Sequence, residues 1–491
     1  MNFQEELRLL LKARYPILYT ITIEEDRLEY TIRQSIQGKN PKNLYIWDFI
    51  EGYELNPIQN GFGKRNPLEA LEFIEKISSR TPSIFVLKDF KRFLKDITIS
   101  RKLRNLTKLL KVDLKTIIIV DSEVQIPEEL KDIITILKFN LPTTKEITNE
   151  IKRMSNRLLL KGGLRVDILE KIIQACQGLS LEKIRRVLGK VIALYKRIDE
   201  KSIPIILQEK RQVISQTNLL EFWSVKKRLE DVGGANNLKN WLIARTDTFS
   251  EQAINYGLIP PRGVLIIGIQ GSGKSLIAKA VAYEWKLPLI RLDIGRLFGG
   301  IVGQSETQVR KMINITESLS PCILWIDELD KAFSENSSSV DSGTTKRVLS
   351  TLIHWLGEKT LPVFVIGTAN DIHCLPIEIL RKGRFDEIFF LGIPRYEERL
   401  IIFELHLKRF RPQSWQSYDM KKLSQKAHNF SGAEIEQAIL EAMYVAFSQQ
   451  REFTTDDILL AISQTVPLVD IDPLRTELIE SWAYSGKIRL A

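Results

Sequence analysis

The residues best placed to do chemistry are Gly268-Ile269-Gln270-Gly271-Ser272-Gly273-Lys274-Ser275. This G-x-x-x-x-G-K-[ST] pattern follows the apolar run Val264 to Ile267 and precedes Leu276 to Lys286, whose apolar residues recur at helical spacing. Strand, glycine-rich turn and helix in that order form a loop whose backbone N–H groups converge on phosphate oxygens, while the helix N-terminus adds partial positive charge. Lys274 is placed to reach the β- and γ-phosphates, and the Ser275 hydroxyl to hold Mg²⁺. The pattern predicts a protein that binds ATP with Mg²⁺.

Three further groups extend that chemistry. Ile323-Leu324-Trp325-Ile326 is an apolar strand ending in Asp327-Glu328. At the carboxyl end of a neighbouring parallel strand, where ligands bind in such sheets, Asp327 orders the Mg²⁺ shell and Glu328 polarises the attacking water. A third strand, Val363 to Ile366, runs into Gly367-Thr368-Ala369-Asn370, which puts Asn370 beside Glu328, where it can hold that water. Arg381-Lys382-Gly383-Arg384 follows. Arginine stays charged and forks onto phosphate oxygens. Coming after the last strands, Arg381 and Arg384 are expected to serve the site of a neighbouring subunit, which implies a ring.

These groups need a sheet to hold them, and the chain is long enough to build more than one. Its 491 residues predict two to four domains, and 44% hydrophobic with 27% charged residues is the composition of a soluble globular protein. No apolar run approaches the ~18 residues that a membrane span requires. The opening Met1-Asn2-Phe3-Gln4-Glu5-Glu6 carries acids and no apolar core, so neither a secretory signal nor a transit peptide is expected. Cys176, Cys322 and Cys374 lie far apart in apolar sequence, which excludes a disulfide framework and a cysteine metal site and fits a reducing compartment. The net charge of +10 admits nucleic acid as a partner, but the basic residues are dispersed rather than gathered into a patch, so that partner is not favoured.

In the first 200 residues, the apolar runs Ile17 to Ile23, Leu44 to Trp47, Ile84 to Leu87 and Thr116 to Val120 alternate with helical stretches, as in a parallel α/β sheet. No glycine loop follows the first of them. Thr81-Pro82-Ser83-Ile84-Phe85-Val86-Leu87-Lys88-Asp89 resembles Ser320-Pro321-Cys322-Ile323-Leu324-Trp325-Ile326-Asp327-Glu328. Ile126-Pro127-Glu128-Glu129-Leu130 resembles Leu375-Pro376-Ile377-Glu378-Ile379, and two later matches keep the same order. An internal repeat follows. On this reading, residues 1–200 are a second copy of the ATPase fold that lacks a phosphate loop and carries Lys88 in place of the metal-site carboxylate.

From Asp231 to about Val466 the chain resembles the AAA ATPase family, with its motifs in order. That resemblance implies a P-loop parallel-sheet α/β module over 229–394 and a helical lid over 395–466. A degenerate AAA-like α/β domain over 1–200 and a connector over 201–228 precede them, and a tail over 467–491 follows. It assigns Asp231-Val232-Gly233 to the adenine side of the nucleotide, His406 to its base or sugar, and Gly432-Ala433 to the lid. It also implies a homo-oligomeric, hexameric ring that hydrolyses ATP to remodel or assemble a protein client. The pore-loop position, Leu297 to Glu306, carries Ile301 where protein-threading members have an aromatic residue, with Phe298 shifted upstream. The whole-chain pattern resembles the hypothetical chloroplast reading-frame AAA proteins of algal plastids and cyanobacteria, which implies a plastid stromal protein (cytoplasmic if cyanobacterial). ATP-dependent work on nucleic acid, or nucleotide-controlled regulation with little turnover, remain the other readings.

Overall fold

A computed structural model of the chain describes residues 2–36, 42–54, 63–78, 82–156, 165–215, 219–223, 227–294, 304–334, 342–484 and 488–491. They form two compact units, residues 1–174 with 179–202 and residues 175–178 with 203–491.

The first unit contains strands β1 (Ile17–Ile21), β2 (Asn43–Asp48), β3 (Gly52–Tyr53), β4 (Ser83–Lys88), β5 (Lys115–Asp121) and β6 (Ile134–Lys138). Their order is β3-β2-β4-β5-β1-β6, parallel throughout except for β3, which turns back on β2. β1, β4 and β5 are nearly continuous apolar runs because both faces of a parallel sheet are covered. Along β1, Ile17 and Tyr19 enter one core with Phe85 and Ile119, while Leu18 enters the other with Val86 and Ile118. The helices Val166–Cys176 and Leu181–Tyr195 follow.

In the second unit the strands are β7 (Leu220–Trp223), β8 (Gly263–Gly268), β9 (Leu289–Leu292), β10 (Cys322–Ile326), β11 (Val363–Ala369), β12 (Glu387–Leu391) and β13 (Arg489–Leu490). The order is β13-β12-β8-β11-β10-β9-β7, with β7 alone antiparallel. Beyond the sheet, the helices Tyr396–Phe410, Met420–Lys426, Gly432–Ser448 and Thr455–Gln464 pack around Phe403, Leu407, Leu423, Ile435, Ile439 and Ile458. Ser431 caps the third of these helices reciprocally with Glu434.

Numbering the five main parallel strands of each sheet in chain order gives 5-1-4-3-2 in both: β6-β1-β5-β4-β2 and β12-β8-β11-β10-β9.

Three expectations about chain order change. The stretch expected to be a connector holds the helix Ser202–Ser215 and the edge strand β7, because Leu220 is buried and pairs with Leu292. The expected tail is built into the sheet: Ala483 and Ile479 pack on Phe390, and β13 pairs with β12. Arg381 and Arg384 precede the last main strand rather than following it, since Glu387–Leu391 pairs with β8. The loop around Phe298 and Ile301 and the serines at 337–339 lie outside the described residues.

Candidate functional site

At the carboxyl edge of the seven-stranded sheet, β8 ends at Gly268, residues 269–273 turn, and the helix Lys274–Glu284 begins. The turn needs glycine at two points. Gly271 has φ +82°, and a Cβ there would stand 2.7 Å from the Ser431 Oγ. Gly273, at the helix N-cap, has φ +102°. Side chains rarely adopt such backbone angles, so these positions keep the turn tight and its N–H groups accessible.

Lys274 folds over this turn, its Nζ donating to the Gly268 and Ile269 carbonyls at 2.8 Å each. Burial pushes its pKa down to about 8, against the pull of Asp330, Asp327 and Glu328. Ser272 places a buried hydroxyl beside it that has no hydrogen-bond partner among the described residues.

Strands β10 and β11 bring the acids. Ile326 pairs with Gly367, so the next residues, Asp327 and Thr368, stand side by side. The Thr368 Oγ1 donates to Asp327 Oδ1 at 2.7 Å and accepts the Glu328 N–H at 3.1 Å. The Ser275 Oγ lies 3.4 Å from the same Asp327 oxygen. Glu328 sits in the left-handed region with φ +52°, which turns its chain away from the strand, and its carboxylate pairs with Lys331 at 2.7 Å. Asn370, just past β11, is half-buried and lines the same cleft.

The cleft, of about 590 Å³, has a second wall. Asp231, Val232 and Gly233 line it from the turn after Leu229, with Gly233 against Ile402. His406 faces in from the helix Tyr396–Phe410, its Nδ1 3.7 Å from the Glu436 Oε1, which also accepts from Arg409 at 2.8 Å. Burial lowers the His406 pKa below its ordinary value although Glu436 opposes the shift, so the imidazole is neutral at neutral pH. The lid touches the phosphate loop directly: the Ala433 N–H donates to the Gly271 carbonyl at 3.2 Å, beside Gly432.

The donor set fits a magnesium nucleotide. A cation, an unpartnered hydroxyl and a glycine turn at a helix N-terminus suit phosphates. Among the described residues no group of three His, Cys, Asp or Glu side chains gathers to cage a metal. Ser275 and Asp327 would therefore share an ion with phosphates and water, the usual arrangement for Mg²⁺.

The predicted residues Gln270 to Ser275, Asp327, Glu328, Asn370, Asp231 to Gly233, His406, Gly432 and Ala433 all line this cleft. Arg381 and Arg384 do not. Arg381 is exposed, and the Arg384 guanidinium packs over Gly357, its Nη1 1.7 Å from where a Cβ would stand. Sequence reasoning missed Thr368, Glu436 and Arg409. Only Thr368 had a usable signal, since a strand pairing beside β10 places its hydroxyl next to Asp327.

The equivalent edge of the six-stranded sheet is built differently. Only residues 22–24 separate β1 from the helix Glu25–Ile36. Glu24 is buried, paired with Arg27, and accepts the Leu181 N–H at 2.5 Å. Lys88 pairs with Glu29 at 2.5 Å and Glu25 at 3.6 Å, and Lys91 pairs with Asp121 at 2.8 Å. Asp89, which follows Lys88, has φ +53°.

Comparison with known proteins gives a consistent account. A family model described as "ATPase family associated with various cellular activities (AAA)" matches residues 264–393. Models described as the N-terminal and second domains of SpoVK-like AAA ATPases match residues 3–139 and 144–217. The "Uncharacterized AAA domain-containing protein ycf46" of Trieres chinensis is 60% identical over 491 residues, 100% of this chain and 98% of that protein. The protein of the same name from Pyropia yezoensis is 54% identical over 100% of this chain and 99% of its own length. A proteasome-activating nucleotidase of Methanococcus maripaludis is 32% identical over 248 residues, 48% of this chain and 59% of that protein.

Proposed function

The chain belongs to the AAA family of ATPases, and on that premise we propose that its seven-stranded unit binds and hydrolyses Mg²⁺-ATP to remodel or assemble a protein client in the plastid stroma. The observation that carries this reading is the meeting of Lys274, Ser275, Asp327, Glu328 and Thr368 beside a glycine turn at one sheet edge.

In this reading the loop N–H groups from Gly268 to Ser275 and the Lys274 ammonium hold the phosphates. Ser275 and Asp327 hold the Mg²⁺, which neutralises charge on the phosphate oxygens. The Glu328 carboxylate takes a proton from the attacking water at its Oε, and Asn370 orients that water. Asp231 to Gly233 and His406 hold the base side, and Gly432 with Ala433 carries the lid against it. Arg381 and Arg384, standing outside their own cleft, act in the site of the next copy in a homo-oligomeric ring. A fixed charge of that kind is worth ~10³–10⁵ in rate in related phosphoryl transfers. The six-stranded unit is a copy of the same fold that has lost the reaction, as its internal ion pairs suggest.

The plastid setting rests on the likeness to the ycf46 proteins, and the protein client on the family together with the nucleotidase likeness. Among the described residues no helix is long and apolar enough to cross a membrane. Glu328→Gln protein held with Mg²⁺-ATP in a plastid extract tests the client. Nuclease-resistant, ATP-dependent recovery of a particular protein supports remodelling. Recovery that nuclease abolishes moves the reading to nucleic acid. ATP binding by the unsubstituted chain without turnover makes it a nucleotide-controlled regulator. Arg384→Ala tests the ring: turnover is lost with ATP binding kept, and full activity in that variant removes the role in trans.

A further inference from the structure

Asp327 has a second neighbour that the proposed reaction does not use. The Arg291 Nη2 lies 3.4 Å from Asp327 Oδ2, on the side opposite Thr368 and Ser275. Its Nη1 lies 3.7 Å from the Glu221 Oε2 on edge strand β7. The strand registers explain the arrangement: Glu221 pairs with Arg291, and Arg291 pairs with Trp325, so all three stand at one level of the sheet. Asp327 and Trp223 are each two residues along from that level, on the same face. The guanidinium lies 5.2 Å from the Trp325 ring centre and 5.9 Å from that of Trp223. Its Nε is buried with no hydrogen-bond partner among the described residues.

Neither carboxylate holds this arginine in a close bidentate pair, the geometry that binds guanidinium most firmly. It stands between two acceptors, on an aromatic surface that it shares with the Lys279 ammonium, 4.3 Å from the Trp223 ring centre. A dication drawn to Asp327 meets this fixed positive charge on the far oxygen and is repelled by it. Glu221 offers the arginine a place to go.

We propose that Arg291 is a positioning residue that pairs with Asp327 when the nucleotide site is empty and moves to Glu221 on β7 when Mg²⁺-ATP enters. Edge strand β7 thereby reads the occupancy of the cleft. The inference rests on the Mg²⁺-ATP reading above.

The test measures how much Mg²⁺ the full-length protein needs to bind a non-hydrolysable fluorescent ATP analogue tightly. Arg291→Gln removes the competing cation and lowers the Mg²⁺ midpoint about threefold to tenfold. Glu221→Gln removes the alternative acceptor and raises it about twofold to fivefold. Binding of the analogue in excess chelator is unchanged in both. A merely structural arginine would move both variants in one direction, with or without metal, and that result overturns the inference, as do unmoved midpoints. Should Arg291→Gln fail to fold, Glu221→Gln decides alone, and no rise in its midpoint is the negative answer. If the unsubstituted chain binds no analogue with Mg²⁺, the ATP reading fails and takes this inference with it. Normal binding with unmoved midpoints removes only the inference.

Discussion

The five main strands of the two sheets run in the same order, yet the carboxyl edges hold opposite chemistry. On the seven-stranded edge, residues 269–273 leave room for a glycine turn, and Lys274 faces the acids Asp327 and Glu328. On the six-stranded edge the turn is shorter, its helix begins with Glu25, and the residue equivalent to Asp327 is Lys88. The register supports that equivalence independently of the sequence match: Ser83 pairs with Lys115 as Cys322 pairs with Val363. Glu328 and Asp89 even share the left-handed turn that follows the strand, at φ +52° and +53°. The two edges share backbone shape and differ in chemistry. A helix N-terminus opening with Glu25 repels phosphate where one opening with Lys274 attracts it, and Lys88 and Lys91 already have their own carboxylates.

The equivalent pair Glu328 and Asp89 offers the sharpest way to break this contrast. Glu328→Gln is expected to lower turnover ~10²–10⁴-fold while ATP binding persists, the usual cost of losing a general base. Asp89→Asn is expected to leave turnover within about twofold, since no reacting group is held there. Steady-state hydrolysis by the two variants settles the matter, and an equal loss in both would mean that the two edges work together.

Hydrogen exchange on the full chain separates the edges without any substitution. At ATP about a hundred times its Kd, openings that release the nucleotide slow roughly a hundredfold. The amides of Gly271 to Leu276 should show that protection, and those of Thr22 to Arg27 should not change. Protection of both stretches would contradict the proposed loss of nucleotide binding in the first unit.

The pH response of the two lysines is opposite in sign. Lys274 is held down from its ordinary 10.5 to about 8 by burial. The affinity for ATP is therefore expected to fall as pH rises through about 8, by at most about tenfold per unit, because the free protein loses the charge that phosphate needs. The stability of the nucleotide-free protein moves the other way. Between about 8 and 10.5 the unfolded chain binds more protons at this lysine than the folded one, so this group's contribution to stability rises with pH. Burial also depresses Lys88, but Glu29 and Glu25 outweigh it and raise its pKa. Its contribution is complete below the ordinary value and is lost only above it. Nucleotide affinity measured across pH 7 to 10 with and without Lys88→Met checks the assignment: the substitution should leave the curve in place.

Much of this contrast was legible in the sequence because its carriers are local. A strand, a glycine turn and a helix occupy consecutive residues, and Asp327-Glu328 and Asn370 each end an apolar run. The unseen parts are those that depend on pairing at a distance. β9 has only four residues, and β12, although as long as β10, ends in no group that does chemistry. Leu220 to Trp223 is too brief a run to distinguish an edge strand from a connector until Arg291 and Trp325 are seen beside it. Glu436 and Arg409 meet His406 only because two lid helices pack together, a contact that no spacing in the chain reveals.

The smallest expected effect tests whether the six-stranded edge is now purely structural. Lys88 and Glu29 are mostly buried, with side chains 19% and 17% exposed, and lie 2.5 Å apart. Lys88→Met leaves the Glu29 carboxylate partly desolvated without its cation, which costs about 1–3 kcal/mol. In a two-unit protein that loss should appear in the first unit's thermal transition alone, as a drop of a few degrees. Lys88→Met, Glu29→Leu should recover much of it, because replacing a buried ion pair with apolar contacts is often close to neutral. Turnover should stay at the unsubstituted level in both proteins. The corresponding substitution at the other edge, Asp327→Met, should abolish turnover, and because it removes the acceptor of the Thr368 hydroxyl and the partner of Arg291 it should cost stability as well. If Lys88→Met instead slowed hydrolysis without moving the melting transition, the ion pairs of the six-stranded edge would be part of the machinery and not what fills a vanished site.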